Sequence, residues 1–300
     1  IVRDDSWLST LPFHIQLFRA LDFRVPKYLH IGPLMKMDGE SKRKLSKRKD
    51  PELGLSFYKA EGFPTESVYE YLMTVLNSNF EDWRRANPDA PVDEFKFSYK
   101  KMNPAGSLFD YLKLCDVSKN VISKFSAQKV LESIIEWAKE FDKEFYDLLV
   151  ADKEYATKIF EIGRGGKKPR KDFAVWSQTK DYCSYFYDQL FAPEYAYPEK
   201  VSKEDVKAIL QAYKPIYDET DDNSEWFNKV KSICEPLGFT TDMKAYKQNP
   251  DAFKGSVADV STVIRVAVTG RANTPDLSTI MALLGKEKSI ERIDKAIQSL

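Results

Sequence analysis

The last fifty residues carry apolar side chains at three- and four-residue steps, the spacing of one face of an α-helix. The first series contains Val260 and ends at Gly270, a residue that favours a helix C-terminus. A second series follows Thr274, an N-cap residue type, and ends at Gly285. A third contains Ile290. The pattern predicts three successive helices and constrains this part of the chain to a helical fold.

Helical spacing continues through most of the remaining sequence. The predicted helix starts are Pro12, Pro64, Ser126, Ser202 and Ser224. The helix capped by Ser126 is predicted to run through Leu148, and the helix at Ser224 to stop at Gly238. Two segments lack this spacing. Residues 28–37 predict a buried strand followed by a turn at Gly39, and residues 84–116 predict irregular structure.

Composition excludes several classes of protein. The chain of 300 residues has 43% hydrophobic residues, enough for two or three packed domains. Lys and Arg number 46 and so do Asp and Glu, so any nucleic-acid surface must be a local patch. No apolar run approaches the roughly 20 residues that span a membrane, and no signal peptide is expected. The three cysteines are too widely spaced for a disulfide framework or a metal knuckle, which predicts a soluble protein in a reducing compartment.

Residues 42–49 place six cations in eight positions. Like charges at this density repel one another, so the segment requires solvent or an anion. From charge alone, a solvated surface loop and a nuclear localisation signal are the simpler interpretations. A loop that binds a phosphate is the third.

Within this run, residues 44–48 (K-L-S-K-R) resemble the K-M-S-K-S signature of class I aminoacyl-tRNA synthetases, in a form common in the glutamyl branch. Flanking segments resemble the same branch in the same order. Residues 2–14 resemble its L-R-x-E-E-W-L…T-P-x-H stretch, although Ser6 replaces the second acid, and residues 58–63 resemble its Y-K-x-x-G-[FY] segment. Residues 266–270 and 280–285 resemble its R-x-A-L-T-G and [IL]-x-x-L-L-G segments. The middle, roughly residues 84–250, matches loosely.

The resemblance implies a mainly α chain. Residues 1–43 would be the C-terminal remnant of a Rossmann-type catalytic domain, and residues 44–120 the K-L-S-K-R loop with a helical stem-contact region. Residues 121–205 and 206–300 would be two all-helical anticodon-binding subdomains. The family's H-x-G-H/N motif and any zinc knuckle are expected before residue 1. His30 begins only a partial copy, which Pro33 interrupts. The chain alone is therefore expected to be inactive.

The implied activity is that of a glutamate–tRNA ligase, in which ATP activates L-glutamate and the glutamyl group passes to the 3′ end of its tRNA. A mobile cationic loop can stabilise the charge that builds on the phosphates of the transition state. The resemblance assigns catalytic roles to Lys47 and Lys44. The expected ATP-binding residues are Trp7, Lys44, Leu45, Ser46, Lys47 and Arg48. Arg3 would bind the glutamate carboxylate. The simpler alternatives are a surface ion pair for Arg3 and core packing for Trp7.

A second basic cluster predicts contact with tRNA. It lies among three glycines, which let a backbone approach phosphate closely, and consists of Arg164, Lys167, Lys168, Arg170 and Lys171. Aromatic residues follow it and are candidates for stacking on unpaired bases: Phe173, Trp176, Tyr182, Tyr185, Phe186 and Tyr187. The alternative is that most of these rings pack a helical core.

The implied substrates and partners are ATP, Mg²⁺, L-glutamate and tRNA(Glu), with no metal ligands or zinc in this chain. A cytoplasmic monomer that binds neither DNA nor membranes is expected. Two alternatives remain open: another class I synthetase, such as a glutaminyl-tRNA synthetase, and a non-catalytic helical tRNA-binding protein. A glutaminyl enzyme would have β-barrels after residue 120, where no period-two strands are evident. Selectivity between glutamate and glutamine tRNAs also remains open.

Overall fold

A computed structural model of the chain describes residues 1–103 and 105–300. These form two compact units. Unit 1 consists of residues 1–123 and 171–178, and unit 2 of residues 124–170 and 179–300. The fold is mainly α, as the sequence predicts.

Unit 1 begins with a β-α-β arrangement, in which α1 connects the parallel strands β1 and β2. This is the repeating unit of Rossmann-type sheets. The elements of unit 1 are β1 (Val2–Asp4), α1 (Leu11–Ala20), β2 (Leu29–Ile31), β3 (Leu34–Asp38), β4 (Ser41–Lys44), α2 (Leu55–Glu61), α3 (Thr65–Leu76), α4 (Phe80–Ala86), β5 (Ser107–Leu108) and α5 (Tyr111–Ser123).

The segment predicted as one strand forms two strands in different sheets. β3 pairs with β4 in an antiparallel hairpin, with Met35 opposite Lys44, and its other edge pairs with β5. Gly39 takes a positive φ of 62° at the hairpin turn. The prediction that residues 42–49 are entirely a loop is wrong for residues 42–44, which belong to β4. Pairing in the hairpin holds this part of the basic run extended.

Segment 171–178 belongs to the core of unit 1. The Trp176 N–H donates to the Gly62 carbonyl at 3.0 Å, and Ser118 Oγ donates to the Ala174 carbonyl at 2.6 Å. Apolar side chains on α3, α5 and the intervening loops pack with this segment. The buried cluster is Leu45, Phe63, Tyr71, Phe109, Leu114, Ala174 and Val175. Burial of each large side chain contributes about 1.5–3 kcal/mol.

The prediction of irregular structure over residues 84–116 is correct only in part. Residues 87–110 contain short 3₁₀ turns and β5, with Pro104 outside the described residues. The prediction is wrong at both ends, where α4 continues to Ala86 and α5 begins at Tyr111. A run of Pro and Asn therefore indicates the connection but not its exact limits.

Unit 2 is built from helices, with one pair of two-residue parallel strands, β6 and β7. Its elements are α6 (Ala127–Phe141), α7 (Lys143–Ala151), α8 (Lys153–Glu161), α9 (Thr179–Tyr182), α10 (Lys203–Tyr213), α11 (Asn223–Ser232), β6 (Phe239–Thr240), α12 (Met243–Gln248), β7 (Gly255–Ser256), α13 (Val257–Thr269), α14 (Leu277–Leu284) and α15 (Lys286–Gln298).

Two predicted N-caps are confirmed, because the side chains of Ser126 and Ser202 accept backbone hydrogen bonds at the starts of α6 and α10. The single long helix from Ser126 is wrong. It ends at Phe141, and Asp142 caps α7 by accepting from the Phe145 N–H. Asp152 caps α8 in the same way. A side chain that satisfies the first N–H groups of a new helix favours restarting the helix over continuing it.

Two other predicted caps are displaced by two residues. Asp222, not Ser224, caps α11 and forms a capping box with Glu225. Asp276, not Thr274, caps α14. The predicted ends at Gly270 and Gly285 are confirmed, while α11 ends at Ser232 and a 3₁₀ turn continues to Gly238.

The core of unit 2 surrounds α13, which packs against α10, α11 and α15. A buried cation links three parts of this core through hydrogen bonds. Arg292, on α15, is 3% exposed and donates to the Tyr185 carbonyl at 2.6 Å and to the Val268 carbonyl at 2.9 Å. The second carbonyl lies in the last turn of α13, where a cation is favourable. Among the described residues, no helix is both long and apolar enough to cross a membrane.

Candidate functional site

The end of β1 presents an arginine stacked on a tryptophan. Arg3 pairs with His30 across the sheet, and its guanidinium carbon lies 4.0 Å from the centroid of the Trp7 ring. Trp7 is 42% exposed, so it is not a core residue. Arg3 Nε is buried and has no hydrogen-bond partner among residues 1–103 and 105–300. The alternative of a surface ion pair is not observed, and the stacked fork retains donors for a carboxylate.

Asp4, the residue after Arg3, links β1 to the K-L-S-K-R signature through an ion pair. Lys44 Nζ lies 2.7 Å from Asp4 Oδ2. Asp4 also accepts from the backbone and hydroxyl of Ser6. The hydrogen bond from Lys44, followed by that from Ser6, lowers the pKa of the Asp4 carboxyl. Lys44, predicted to act on ATP, is thus engaged by an acid next to Arg3.

A buried carboxylate lies under the basic run. Arg43 donates through both terminal nitrogens to Asp50, at 2.6 and 2.8 Å, and through Nε to Asp38 at 2.8 Å. Lys36 binds Glu52 and lies 3.5 Å from Asp50. Asp50 is 1% exposed, and Arg43 holds the pKa of its carboxyl well below the usual range. The hydrogen bond to Glu52 in turn raises the pKa of Lys36.

The turn after β4 is fixed at both ends. Leu45 is 5% exposed and belongs to the core of unit 1. The Ser46 N–H donates to Asp50 Oδ2 at 2.8 Å, while the Asp50 N–H donates back to the Ser46 carbonyl at 2.8 Å. The Lys49 N–H also donates to that carbonyl, at 3.0 Å. Between these anchors the chain forms a closed turn.

The six cations of the basic run therefore divide into two groups. Arg43 and Lys44 are paired with acids. The other four side chains are exposed and form no ion pair within the described part of the chain: Lys42, Lys47, Arg48 and Lys49. Such a group can attract a polyphosphate without first breaking an ion pair.

The second basic cluster is divided between the units. Arg164, Lys167, Lys168 and Arg170 lie in unit 2, and Lys171 in unit 1. In unit 2 the Arg170 N–H donates to the Gly163 carbonyl at 3.0 Å, which closes a loop. Gly163 has a φ of +76°, and a Cβ there would lie 2.6 Å from Arg170 Cδ, so the close approach requires glycine. Lys167 and Lys168 are exposed on this loop.

Most aromatics after this cluster pack inside their units. Phe173 and Trp176 are buried in unit 1. Tyr185, Phe186 and Tyr187 are buried in unit 2, and half-buried Tyr182 stacks on Phe160 with 6.3 Å between ring centroids. The alternative of core packing is therefore observed for most of them, and these rings do not form an exposed surface for bases.

Sequence reasoning missed the acids that organise the site. Asp4 and Asp50 each hold a cation of the run, and Asp38 and Glu52 complete the ion pairs. The one available signal was an acid four residues after Ser46. In the described chain, no three His, Cys, Asp or Glu side chains are grouped in a way that could hold a metal ion. A cavity of about 340 Å³ beside α3 and β5 is lined by none of the predicted site residues.

The chain is similar in sequence to glutamate–tRNA ligases and to an anticodon-binding family. A family model described as an anticodon binding domain matches residues 170–297. The glutamate–tRNA ligase of Acetivibrio thermocellus is 48% identical over 99% of this chain and 54% of its own length. The ligase of Clostridium perfringens strain 13 is 47% identical over 98% of the chain and 54% of its own length. The chain thus spans about half the length of the curated relatives it matches.

A solved structure extends the comparison to the fold. The glutamate tRNA ligase of Elizabethkingia meningosepticum superposes with a TM-score of 0.67 at 20% identity, over 100% of this chain and 57% of that one. The fold is that of the solved glutamate tRNA ligase over part of its length, and residues 170–297 are similar to an anticodon binding domain. The sequence of the chain is similar, more particularly, to the C-terminal part of the glutamate–tRNA ligases.

Proposed function

We propose that this chain supplies the second ATP-site signature and the tRNA-reading domains of a cytoplasmic glutamate–tRNA ligase. The observation that carries the proposal is 48% identity to such a ligase across 99% of the chain. The exposed side chains of Lys47, Arg48 and Lys49 support it, since the turn that carries them overlaps the K-L-S-K-R signature at residues 44–48. The remaining part of the catalytic domain would correspond to the length of the relatives that this chain does not match.

In the proposed reaction, L-glutamate attacks the α-phosphate of ATP and pyrophosphate leaves. Lys47 stabilises the charge that develops on the phosphates, with Arg48 beside it. Trp7 lines the nucleotide site, and Arg3 binds the substrate carboxylate through its fork. Leu45 and Ser46 fix the backbone of the turn. Lys44 contributes indirectly, through its ion pair with Asp4. Mg²⁺, bound with ATP, would neutralise further phosphate charge.

The tRNA contacts are proposed at the second basic cluster, Arg164, Lys167, Lys168, Arg170 and Lys171. Residues 44–120 are proposed as the stem-contact region, and residues 121–205 and 206–300 as the two anticodon-binding subdomains. The match of residues 170–297 to an anticodon-binding family supports this assignment. A monomeric enzyme that binds tRNA(Glu) would be sufficient, since both proposed tRNA-binding regions lie in one chain.

Binding of tRNA(Glu) by the 300-residue chain tests the RNA role. We expect preferential, salt-weakened binding over an unrelated tRNA. The double variant Lys167→Ala/Lys168→Ala should reduce the slope of log affinity against log salt by about two. Lys244→Ala/Lys247→Ala removes the same charge from exposed positions on α12 and is the matched control. Equal slopes for both variants would exclude residues 167 and 168 as phosphate contacts.

A chimaera tests the enzymatic role. The part of the Acetivibrio thermocellus ligase that this chain does not match would be joined to the chain and assayed for glutamylation of tRNA(Glu). Lys47→Ala should lower kcat by about a hundredfold or more while leaving tRNA affinity intact. Lys42→Ala removes an exposed cation outside the signature and is the control. A chimaera that folds and binds tRNA(Glu) but cannot form glutamyl adenylate would contradict the proposal.

A further inference from the structure

The turn that carries the exposed cations is closed by one buried acid. Asp50 accepts from the Ser46 N–H, and its own N–H donates to the Ser46 carbonyl, both at 2.8 Å. These reciprocal bonds enclose just three residues, Lys47, Arg48 and Lys49. The three are all cationic and exposed, so they repel one another and favour opening of the turn.

The same carboxylate controls a fourth cation. Arg43 binds both oxygens of Asp50 and cannot reach towards an anion at the turn without releasing them. A carboxylate with only 1% exposure needs such partners, because an unpaired buried charge is very unfavourable. Asp50 therefore holds Arg43 in place and holds the turn closed at the same time.

We propose that Asp50 is the positioning residue of a preformed polyphosphate site, which it shapes by fixing residues 46–49 while taking no part in binding. This rests on the role proposed for the turn. It also makes a counterintuitive prediction about charge. An acid near an anion site should weaken binding electrostatically, so its neutralisation should strengthen binding if charge alone mattered. A positioning role predicts the opposite sign.

The test compares Asp50→Asn with Asp38→Asn in the 300-residue chain. Each variant removes one negative charge that pairs with Arg43, but Asp38 does not contact the turn and its side chain is 63% exposed. The probes are inorganic pyrophosphate, titrated calorimetrically, and trypsin, whose cuts after residues 47, 48 and 49 are followed by mass spectrometry. Circular dichroism establishes that each variant is folded.

For Asp50→Asn we expect pyrophosphate affinity about tenfold weaker and cleavage within the turn about tenfold faster. Asp38→Asn should cleave like the wild type and bind pyrophosphate equally or more tightly. Restoring the carboxylate as Asp50→Glu should recover part of both effects. Unchanged cleavage in Asp50→Asn, or tighter pyrophosphate binding by it, overturns the proposal.

If Asp50→Asn does not fold, Arg43→Lys replaces it, because it keeps the charge but loses the two-pronged contact. Cleavage in the turn should then rise, and equal cleavage would count against positioning by this pair. A wild-type chain that binds no pyrophosphate also overturns the inference. Glutamylation by the chimaera tests the proposed function separately, since that assay can succeed whether or not Asp50 matters.

Discussion

Unit 1 and unit 2 differ in how completely each buries its apolar side chains. All but two of the large apolar side chains that are exposed in the described chain lie in unit 1, the exceptions being Phe141 and Met243. The helix α1 has no buried residue, whereas α13 buries nine of its thirteen. Unit 2 closes a core around its own helices. Unit 1 concentrates its charged contacts on short strands and leaves an apolar surface uncovered over residues 1–23.

The largest expected effect comes from comparing a buried position in unit 2 with an exposed position in unit 1. Ile280→Ala, in the core of unit 2, should lower the free energy of unfolding by about 2–5 kcal/mol, because it leaves a cavity. Leu17→Ala on α1, 58% exposed, should change it by less than about 0.5 kcal/mol. Urea unfolding of the chain measures both. Equal losses would mean that the α1 surface is covered in solution.

A smaller effect is expected at the buried cation of unit 2. Arg292→Ala leaves the carbonyls of Tyr185 and Val268 without these donors and should cost about 2–4 kcal/mol. Its neighbour Lys288 forms a partly exposed ion pair with Asp188, so Lys288→Ala should cost less than about 1 kcal/mol. Thermal unfolding compares the pair. If Lys288→Ala is equally costly, the buried contacts are not what fastens α15.

An acid cap in each unit provides a comparison by pH. Burial tends to raise the pKa of Asp276, but hydrogen bonds from Ser278, Thr279 and Asn223 outweigh it, so the folded-state pKa is lowered. Its stabilisation is therefore fully present above the unfolded value of about 4 and is lost as pH falls through the lower folded value.

Asp276→Asn should accordingly cost about 1 kcal/mol at pH 7 and progressively less below pH 4. Asp4, whose pKa is also lowered, caps an exposed 3₁₀ turn in unit 1, and Asp4→Asn should have a smaller effect of the same sign. Urea unfolding at pH 7 and pH 3 gives both differences. A cost that grows on acidification would contradict the assignment of lowered pKa values.

The smallest expected difference is in the reactivity of the native cysteines with an alkylating reagent. Burial raises the pKa of all three thiols, to about 11 for Cys234 and higher still for Cys183, so only about a thousandth of Cys234 is thiolate at pH 8. Cys115, half-buried in unit 1, should react first with iodoacetamide. Intact-mass spectrometry follows the labelling. Labelling of Cys183 before Cys115 would indicate that unit 2 opens more readily than unit 1.

The sequence could predict local features of the fold better than features that depend on contacts between distant residues. Helical spacing and the glycines at 270 and 285 predict the ends of α13 and α14 because these signals are local. The sequence assigns these caps to Ser224 and Thr274 instead of Asp222 and Asp276, because all four are favoured cap types and only the backbone decides between them. Asp142 interrupts an apolar stripe that periodicity alone reads as continuous.

In the site, the six cations of residues 42–49 indicate that the segment binds phosphate. Residue type alone does not show which of these cations are unpaired and therefore available to a phosphate. Whether Lys44 or Lys47 is engaged depends on Asp4, forty residues from Lys44, and on the packing that brings β1 and β4, which belong to different sheets, within reach of each other. Such contacts arise from tertiary structure, which single-sequence reasoning does not supply. The burial of Tyr185 and Phe186 was undetermined for the same reason.

Leu45 has a consequence for anyone who would transplant the K-L-S-K-R turn into another scaffold. Its side chain occupies the core with Phe63, Tyr71 and Leu114, although Lys44, Lys47 and Arg48 of the signature are exposed. The second residue of the signature is thus specified by packing, whereas the cations on either side of it lie outside the core. A graft of five residues without a matching apolar recess would keep the charges and lose the shape. A methionine, similar in volume, is the replacement that the host should tolerate best.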